Sequence, residues 1–379
     1  MSTLTMQDIA TLARVSRPAV SQWRKRTTVR GEAMPFPAVV ERVDGVERFD
    51  QADVVDWLRR TGRGNNQAEQ ALDAAAFTAP DETHFDDVVT LLALYALSGA
   101  DFVSMSHGEL VETARAADPD DEVLLREVRR LTVSAGVLGY IDDLVGASFG
   151  PADALARLES SRVGRTLGLR DLTGDAIDVM RTVVGAARTH VGGDGVPLVP
   201  AGDPLLALSV AEPDTSLVVH AGDAAARDLK RRALVLGVDV DSVAYGPTVT
   251  VSSLVGLSGR EALDGLDDVM LDLAPGSVAV VLGPARELTD HLAGPLHTRR
   301  LQTLGVGNLV AALRLPRGLW REAHRQCLGA WVCLGGANAA EVATVDLAAD
   351  GQSEDLAADI AAALEDCSGY DGLSGSRRA

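Results

Sequence analysis

Apolar positions fall at helical spacing from the first residues onward. In residues 6–26, MQDIATLARVSRPAVSQWRKR, Ile9, Ala13, Val15, Val20 and Trp23 are spaced to face one small core. Thr5 is placed to cap a first helix over residues 6–13, and Ala10 is small where two helices must approach. Ser16 is a good cap for a second helix. Pro18 falls in that helix's first turn, where a missing N–H costs little. Two helices around a tight turn make a helix-turn-helix pattern. Arg14 stands where that turn usually carries glycine, and a left-handed backbone there costs roughly 1–2 kcal/mol. The second helix turns Ser16, Arg17, Ser21, Gln22, Arg24 and Lys25 outward, with Arg26 behind them.

The pattern then switches to short apolar runs around Val39–Val40 and Val46–Phe49. Asp44-Gly45 between them signals a hairpin. Asp50 is placed to cap a helix through Val54, Val55, Trp57 and Leu58. Helix-turn-helix, hairpin and helix together are a winged-helix arrangement of the excisionase and MerR-like kind, with Arg42 and Arg48 flanking the wing, placed to touch the DNA backbone or minor groove. Residues 1–64 therefore read as a winged helix-turn-helix domain. Residues 65–83, with TGRGNNQAEQ at the boundary, read as a linker of small and polar residues.

From 84 to 170 the period is helical. FDDVVTLLALYALSG is apolar on most sides and reads as buried, and the acidic start of DPDDEVLLREVRRLTVSAGVLGYIDDL suits a helix N-terminus. No chemistry-bearing pattern stands out there. From about 171 to 350, short β-rich runs (VPLVP, SLVVHAG, DSVAYG, GSVAVVLGP) alternate with helical stretches such as DAAARDLKRRALVLG. That alternation predicts a parallel, doubly wound α/β sheet. Ligands of such sheets sit beyond the strands' carboxyl ends. Residues 351–379 read as an acidic, Ala-rich tail that frays.

Charge sharpens this division. The chain's formal net charge is -19, yet residues 1–64 hold 11 basic against 8 acidic residues, a net of +3. The remaining 24 basic and 46 acidic residues give residues 65–379 a net of -22. An acidic body repels DNA at long range, but screening confines each charge to about 8–10 Å at physiological salt, so a basic face can still bind it. Arg17 and Gln22 suit base edges in the major groove, and Lys25 and Arg26 suit phosphates. The alternative is a basic helix that is merely solvated.

Other classes find little support. No apolar run is long enough for a membrane span. Cys327, Cys333 and Cys367 form no metal-ligand spacing and read as reduced cytoplasmic thiols. His291, His297 and His324 fit no metal motif, and GVGNLVAAL (305–313) has two of three dinucleotide-loop glycines. No metal is expected.

The order of parts, over roughly residues 4–350, resembles the N6-adenine DNA methyltransferases of restriction-modification systems, in the form with an N-terminal winged helix-turn-helix. HAGDAAARDLKRRALVLGVDVDSVAYG is similar to that family's second strand, next helix and third strand. LAPGSVAVVLGP resembles its late strand, LVAALRLPRGLW its LP-x-G-[LF]-[FW] segment, and AWVCL the strand after it. The resemblance implies a Rossmann-like methyltransferase-type body, S-adenosylmethionine as cofactor, and double-stranded DNA and restriction-modification or defence subunits as partners. Its cofactor positions carry over to Gly202, Asp203 and Asp223.

The chain departs from the family where the chemistry lies. LVPAGDPLLAL keeps Gly202 and Asp203 of the D-P-A-C-G-x-G loop but lacks its second glycine. His220-Ala221-Gly222 stands where an acid would hold the ribose, and Gly246-Pro247 where an acid would lie near the adenine. The N-P-P-[FY] segment that holds the target amine and stacks on the flipped base has no counterpart; TVSSLVGLSGREALDGLDDVML stands in its place. The expectation is a degenerate methyltransferase domain with no catalytic residues and no cofactor, in a cytoplasmic, homodimeric DNA-binding regulator or non-catalytic subunit. Two alternatives remain open. One is an active or partner-dependent adenine methyltransferase, and the other is a transcription regulator whose body senses a small ligand.

Overall fold

The computed structural model describes residues 3–64, 84–160, 172–350 and 355–368, apart from residues 14, 27, 30, 31, 44, 45, 194, 213, 214, 221 and 340. The chain divides into two compact units, one of Met1–Arg170 with Leu234–Leu236, the other of Asp171–Ala233 with Gly237–Ala379.

In the first unit, strand β1 (Thr3–Thr5) runs directly into helix α1 (Met6–Leu12). Thr5 and Asp8 cap that helix reciprocally. Asp8 N donates to Thr5 Oγ1 (3.2 Å), while Asp8 Oδ2 accepts from Thr5 N (3.0 Å) and from its hydroxyl (2.7 Å). Two otherwise orphaned N–H groups are satisfied by one short exchange. Helix α2 (Arg17–Lys25) begins after Ser16, whose backbone is extended but whose side chain makes no cap bond. The turn residue Arg14 lies outside the described residues.

Strands β2 (Val39–Val43) and β3 (Val46–Asp50) form an antiparallel hairpin with β1 on its other side, in the order β1-β3-β2. Val43 pairs with Val46, and the turn residues Asp44 and Gly45 lie outside the described residues. Asp50 Oδ1 accepts from Asp53 N (3.0 Å) and starts helix α3 (Gln51–Thr61). These elements bury Leu4, Ile9, Ala10, Leu12, Ala13, Val20, Phe49, Val54, Trp57 and Leu58 in one small core. Phe36 meets Phe49 and Trp57 edge-on, with ring centroids 5.3 and 5.0 Å apart. Trp57 satisfies its indole N–H on the Met34 carbonyl (3.1 Å).

A short antiparallel pair, Thr28–Val29 with Glu32–Ala33, lies between α2 and β2, and from Phe85 on the described part of this unit is helical: α4 (Phe85–Ser98), α5 (His107–Ala117), α6 (Leu125–Arg130), α7 (Ala135–Gly146) and α8 (Pro151–Ser160). Helix α4 buries its first ten residues almost all round, leaving Asp86 exposed and Asp87 half-buried. Ser106 and Glu109 form a capping box at α5, and Ser134 caps α7. The Asp118 carboxylate accepts from the backbone N–H groups of Glu122, Val123, Leu124 and Leu125, which fixes the entry into α6. Residues 65–83, expected as a linker, lie outside the described residues.

The second unit is a doubly wound α/β fold of Rossmann-like type. Its elements are α9 (Gly174–Val191), β4 (Leu198–Gly202), α10 (Leu205–Val210), β5 (Ser216–Val218), α11 (Ala224–Leu236), β6 (Asp239–Asp241), β7 (Val249–Ser253), α12 (Arg260–Asp272), β8 (Val278–Pro284), α13 (Ala285–Leu288), α14 (Gly294–Leu304), β9 (Leu309–Arg317), β10 (Cys327–Leu334), β11 (Ala343–Asp346), α15 (Leu347–Asp350) and α16 (Leu356–Ser368). The eight strands lie in the order β11-β9-β10-β8-β7-β4-β5-β6. Every neighbouring pair is parallel except those of β10, which runs against both β8 and β9.

From β4 the chain winds outward through β5 to β6, then returns past β4 to β7 and winds the other way through β8. The order reverses between β4 and β7, which is a topological switch point. One face of the sheet packs on α9, α10, α11 and α16 through Met180, Val183, Leu206, Leu229 and Ile360 among others. The other packs on α12 and α14, with Leu263, Leu266, Met270 and Trp331 buried. β8 is buried at every residue, as a strand covered on both faces must be.

Two expectations need correction. DSVAYG is not a strand beyond Asp241: residues 242–248 are a loop, and Tyr245 is almost fully exposed. The edge strand β6 pairs only with β5, through Asp239, Val240 and Asp241, and β5 offers just three residues to pair with. Nor is all of 351–379 a frayed tail. Residues 356–368 form helix α16, and Leu356, Ile360 and Leu364 bury one face in the core beside α9. Among the described residues no helix is long and apolar enough to cross a membrane, and no cluster of His, Cys, Asp and Glu could hold a metal ion.

Candidate functional site

Helix α2 carries the first candidate site. Val20 points into the core, and Val15 and Trp23 pack partly buried against it. The remaining positions are left for solvent. Ser16, Arg17, Ser21, Gln22, Arg24, Lys25 and Arg26 are all exposed. An open cleft of about 510 Å³ runs beside this helix, lined by Thr5, Met6, Gln7, Arg17, Arg42, Val46 and Glu47. Its walls are the first turns of α1 and α2 on one side and the β2–β3 hairpin on the other. Arg17 lines it from the helix and Arg42 from the hairpin.

The basic residues are not equally available. Arg24 Nη2 donates to Glu47 Oε1 (2.9 Å), and Arg24 Nη1 donates to Glu47 Oε2. Arg42 Nη2 donates to the same Oε1 (2.7 Å). Hydrogen bonds from Arg24 and then Arg42 hold the Glu47 carboxyl below the ordinary carboxylate range. Arg24 also stands 5.8 Å from the centroid of the Phe49 ring. Arg48 is half-buried and faces inward along the sheet, its Nη1 3.5 Å from Thr3 Oγ1 and its Nε 3.9 Å from Glu41. Arg17, Gln22, Lys25 and Arg26, by contrast, present their polar ends to solvent.

Glu47 is the residue that the sequence reading passed over. Its signal is the hairpin register. A two-residue turn at Asp44-Gly45 sets Arg42 opposite Glu47, and the strands pair that way. Cross-strand neighbours of opposite charge interact directly.

The second candidate is the carboxyl edge of the large sheet at the switch point. β4 ends at Gly202 with φ +67°, where an added Cβ would lie 3.1 Å from the Ser253 carbonyl oxygen and 3.6 Å from Ser252 Oγ. Only glycine fits both the backbone and the space. Asp203 follows, exposed, with Oδ1 accepting from Leu205 N (3.0 Å). At the end of β5, His220 Nδ1 lies 3.1 Å from the Ser242 carbonyl oxygen. Asp223 Oδ1 accepts from Ala226 N (2.8 Å), so it starts helix α11. Gly202 thus sits at the crevice, while Asp203 and Asp223 each serve the first turn of the element that follows them.

β7 brings Ser252 and Ser253 to the same edge. Ser252 is fully buried, and its hydroxyl has no hydrogen-bond partner. Below it, Gly259 N donates to Glu287 Oε1 (2.9 Å), and Glu287 is itself buried. No aromatic residue stands between Val249 and Leu273. The His291 and His297 rings lie with centroids 6.5 Å apart, tilted by 36°, and among the described residues belong to no metal-binding group. As placed, these residues offer S-adenosylmethionine no carboxylate at the end of β5, where ribose hydroxyls would need one. His220 stands at that position, and the next acid along the chain, Asp223, is exposed and starts α11.

No protein-family profile matches the chain, and no curated protein matches it. Solved structures do match. A Listeria monocytogenes protein described as a class I S-adenosylmethionine-dependent methyltransferase shares 14% identity over 73% of this chain and 98% of its own, with a TM-score of 0.40. The methyltransferase subunit of a type I restriction-modification system from Streptococcus thermophilus shares 14% identity over 83% of this chain and 81% of its own, with a TM-score of 0.44. A modification subunit of a type I restriction enzyme from Vibrio vulnificus shares 12% identity over 66% and 63%, with a TM-score of 0.34. Likeness at this level carries no activity to the chain.

Proposed function

We propose that this chain is a DNA-binding protein whose first 64 residues form a winged helix-turn-helix. Its α/β body is read as a degenerate N6-adenine methyltransferase domain that no longer transfers methyl groups. It acts as a regulator or non-catalytic subunit of a DNA-modification or defence assembly, most effectively as a homodimer, because paired heads read two half-sites about one helical turn apart. The reading rests above all on α2, where one side packs into a core and the other exposes Arg17, Ser21, Gln22 and Lys25 beside an open cleft. Arg17 and Gln22 supply hydrogen bonds to base edges, and Lys25 and Arg26 meet phosphates.

The non-catalytic half of the reading rests on what methyl transfer to an exocyclic amine demands. That nitrogen's lone pair is delocalised into the ring. Acceleration therefore depends on holding the amine by hydrogen bonds and aligning it with the methyl group. The Asn-Pro-Pro-aromatic segment that does this in the family is missing from the chain.

Selection of bound duplexes from a random pool tests the first half, followed by titration at several salt concentrations. A recurring sequence should emerge, and Lys25→Ala should lower the salt slope by about 0.9 while weakening all duplexes alike. Failure of the full chain to bind any duplex at about 50 mM salt overturns it. For the second half, unmethylated genomic DNA is incubated with tritiated S-adenosylmethionine, and no tritium should reach N6-methyladenine.

A second reading is favoured by one observation. The buried Ser252 hydroxyl has no partner and lies beside Gly202 at the switch point. A small ligand admitted beside it by a shift at the end of β4 would satisfy it, as a sensing body or an S-adenosylmethionine-binding one requires. Equilibrium dialysis with labelled S-adenosylmethionine separates these cases.

A further inference from the structure

We infer that Glu47 acts as an internal phosphate mimic, engaging Arg24 so that the head pays little attention to arbitrary DNA. The inference rests on the DNA-binding reading of the head and assigns a specificity-determining role within it.

The geometry carries the argument. A guanidinium meets a phosphate or a guanine edge best with two parallel N–H donors. In Arg24 those two donors, one on each terminal nitrogen, are both given to the two oxygens of Glu47. The end-on edge, Nη1 with Nη2, is therefore occupied, and the side chain is held further by the Phe49 ring beneath it. Arg42 gives one donor to the same carboxylate and is 67% exposed, so it keeps its remaining donors for the cleft. Glu47 is set opposite Arg42 by the hairpin register and is itself only 20% exposed, so the carboxylate is fixed by the strand.

Contact between Arg24 and DNA then requires exchange of one anion for another. A backbone phosphate anywhere along a duplex must compete with a carboxylate already in place, and non-specific binding is made of such contacts. Arg17, Ser21 and Gln22 stand outside this arrangement: among the described residues, Glu47 is bonded by Arg24 and Arg42 and by none of these three. Reading by those residues is left intact while the sequence-independent contribution is held down. The ratio of specific to non-specific affinity rises accordingly, and that ratio decides occupancy among many competing sites.

The test uses the full chain and duplexes of random and of selected sequence. Glu47→Gln keeps the size and one acceptor but removes the charge. Binding to random duplex should tighten about three- to tenfold at 0.1 M salt, and its salt slope should steepen by about 0.9, the signature of one added phosphate contact. Binding to the selected sequence should tighten less, so the specificity ratio falls. The gain should disappear in Glu47→Gln/Arg24→Ala, which locates it in the released arginine. An unchanged slope for Glu47→Gln in a protein that binds DNA overturns the role of Glu47 alone. Weaker binding of Glu47→Gln to both duplexes also overturns it, because Glu47 would then be orienting the arginines for contact. If neither wild type nor variant binds duplex, the DNA-binding reading falls and takes this inference with it.

Discussion

The head and the carboxyl edge of the sheet treat their polar groups in opposite ways. On α2, seven polar residues from Ser16 to Arg26 stand in solvent, and among the described residues only Arg24 of these has its charge engaged by a neighbouring acid. At the sheet edge, Asp203, His220, Asp223 and Glu287 are each bonded to backbone within the unit. The first region leaves its donors exposed to solvent. The second uses its polar side chains to hold its own turns together. Polar chemistry that makes local structure is less free for ligands, so two regions of similar polarity can differ in what they do.

That contrast can be broken by measuring stability and DNA affinity on the same variants. The largest effect should come from Gly335→Ala in the body. An added Cβ there would lie 2.0 Å from the Ala274 carbonyl oxygen and 2.7 Å from its carbon, both backbone atoms of the turn that feeds β8. Overpacking against backbone should cost about 3 kcal/mol in urea unfolding, while the folded protein binds DNA as before. A loss of DNA affinity in the folded fraction would show that the regions are not independent.

Next in size are Arg17→Ala and Gln22→Ala. Each should weaken the selected duplex by about 1–3 kcal/mol if it reads bases, with the urea midpoint unchanged. An equal loss on random duplex would demote the residue to a phosphate contact. Smallest is Asp223→Ala, which removes the acceptor for Ala226 N. It should cost about 1 kcal/mol of stability, as loss of a helix N-cap does, with no change in DNA binding. If instead it abolished binding of S-adenosylmethionine without altering stability, the sheet edge would have to be counted with the head as a ligand surface.

Much of this was open to reading in the sequence, for identifiable reasons. Helix α4 spans Phe85–Ser98, where an apolar run is bounded by Gly99 in the left-handed conformation. Strand β8 coincides with VAVVLGP because a strand buried on both faces needs no alternation. Thr5 caps α1 with Asp8 three residues on, a spacing that is visible by eye. The failures have equally plain causes. Val243 and Tyr245 have strand-forming side chains, yet no strand lies beside them to pair with, so they are exposed. In 356–368 an acidic, alanine-rich composition obscured Leu356, Ile360 and Leu364, which recur every fourth residue and face the core. At Glu47 the individual charges were visible but their partners were not. Ion pairing depends on which strand register and which helix end come together, and Arg24 lies 23 residues from the acid that holds it.

Helix α16 has a consequence for the order in which the body is made. It packs against α9, the first helix of the body, although nearly the whole sheet lies between them along the chain. On a ribosome α9 emerges early, and the apolar surface around Met180 and Val183 must wait for the last helix to cover its share. Domains generally fold as units once their chain is available, and a closing contact between the earliest and latest elements delays that moment. A nascent body interrupted before Leu356 would present that uncovered surface to chaperones and proteases, so cellular quality control would remove incomplete copies even though all of the sheet strands had been translated.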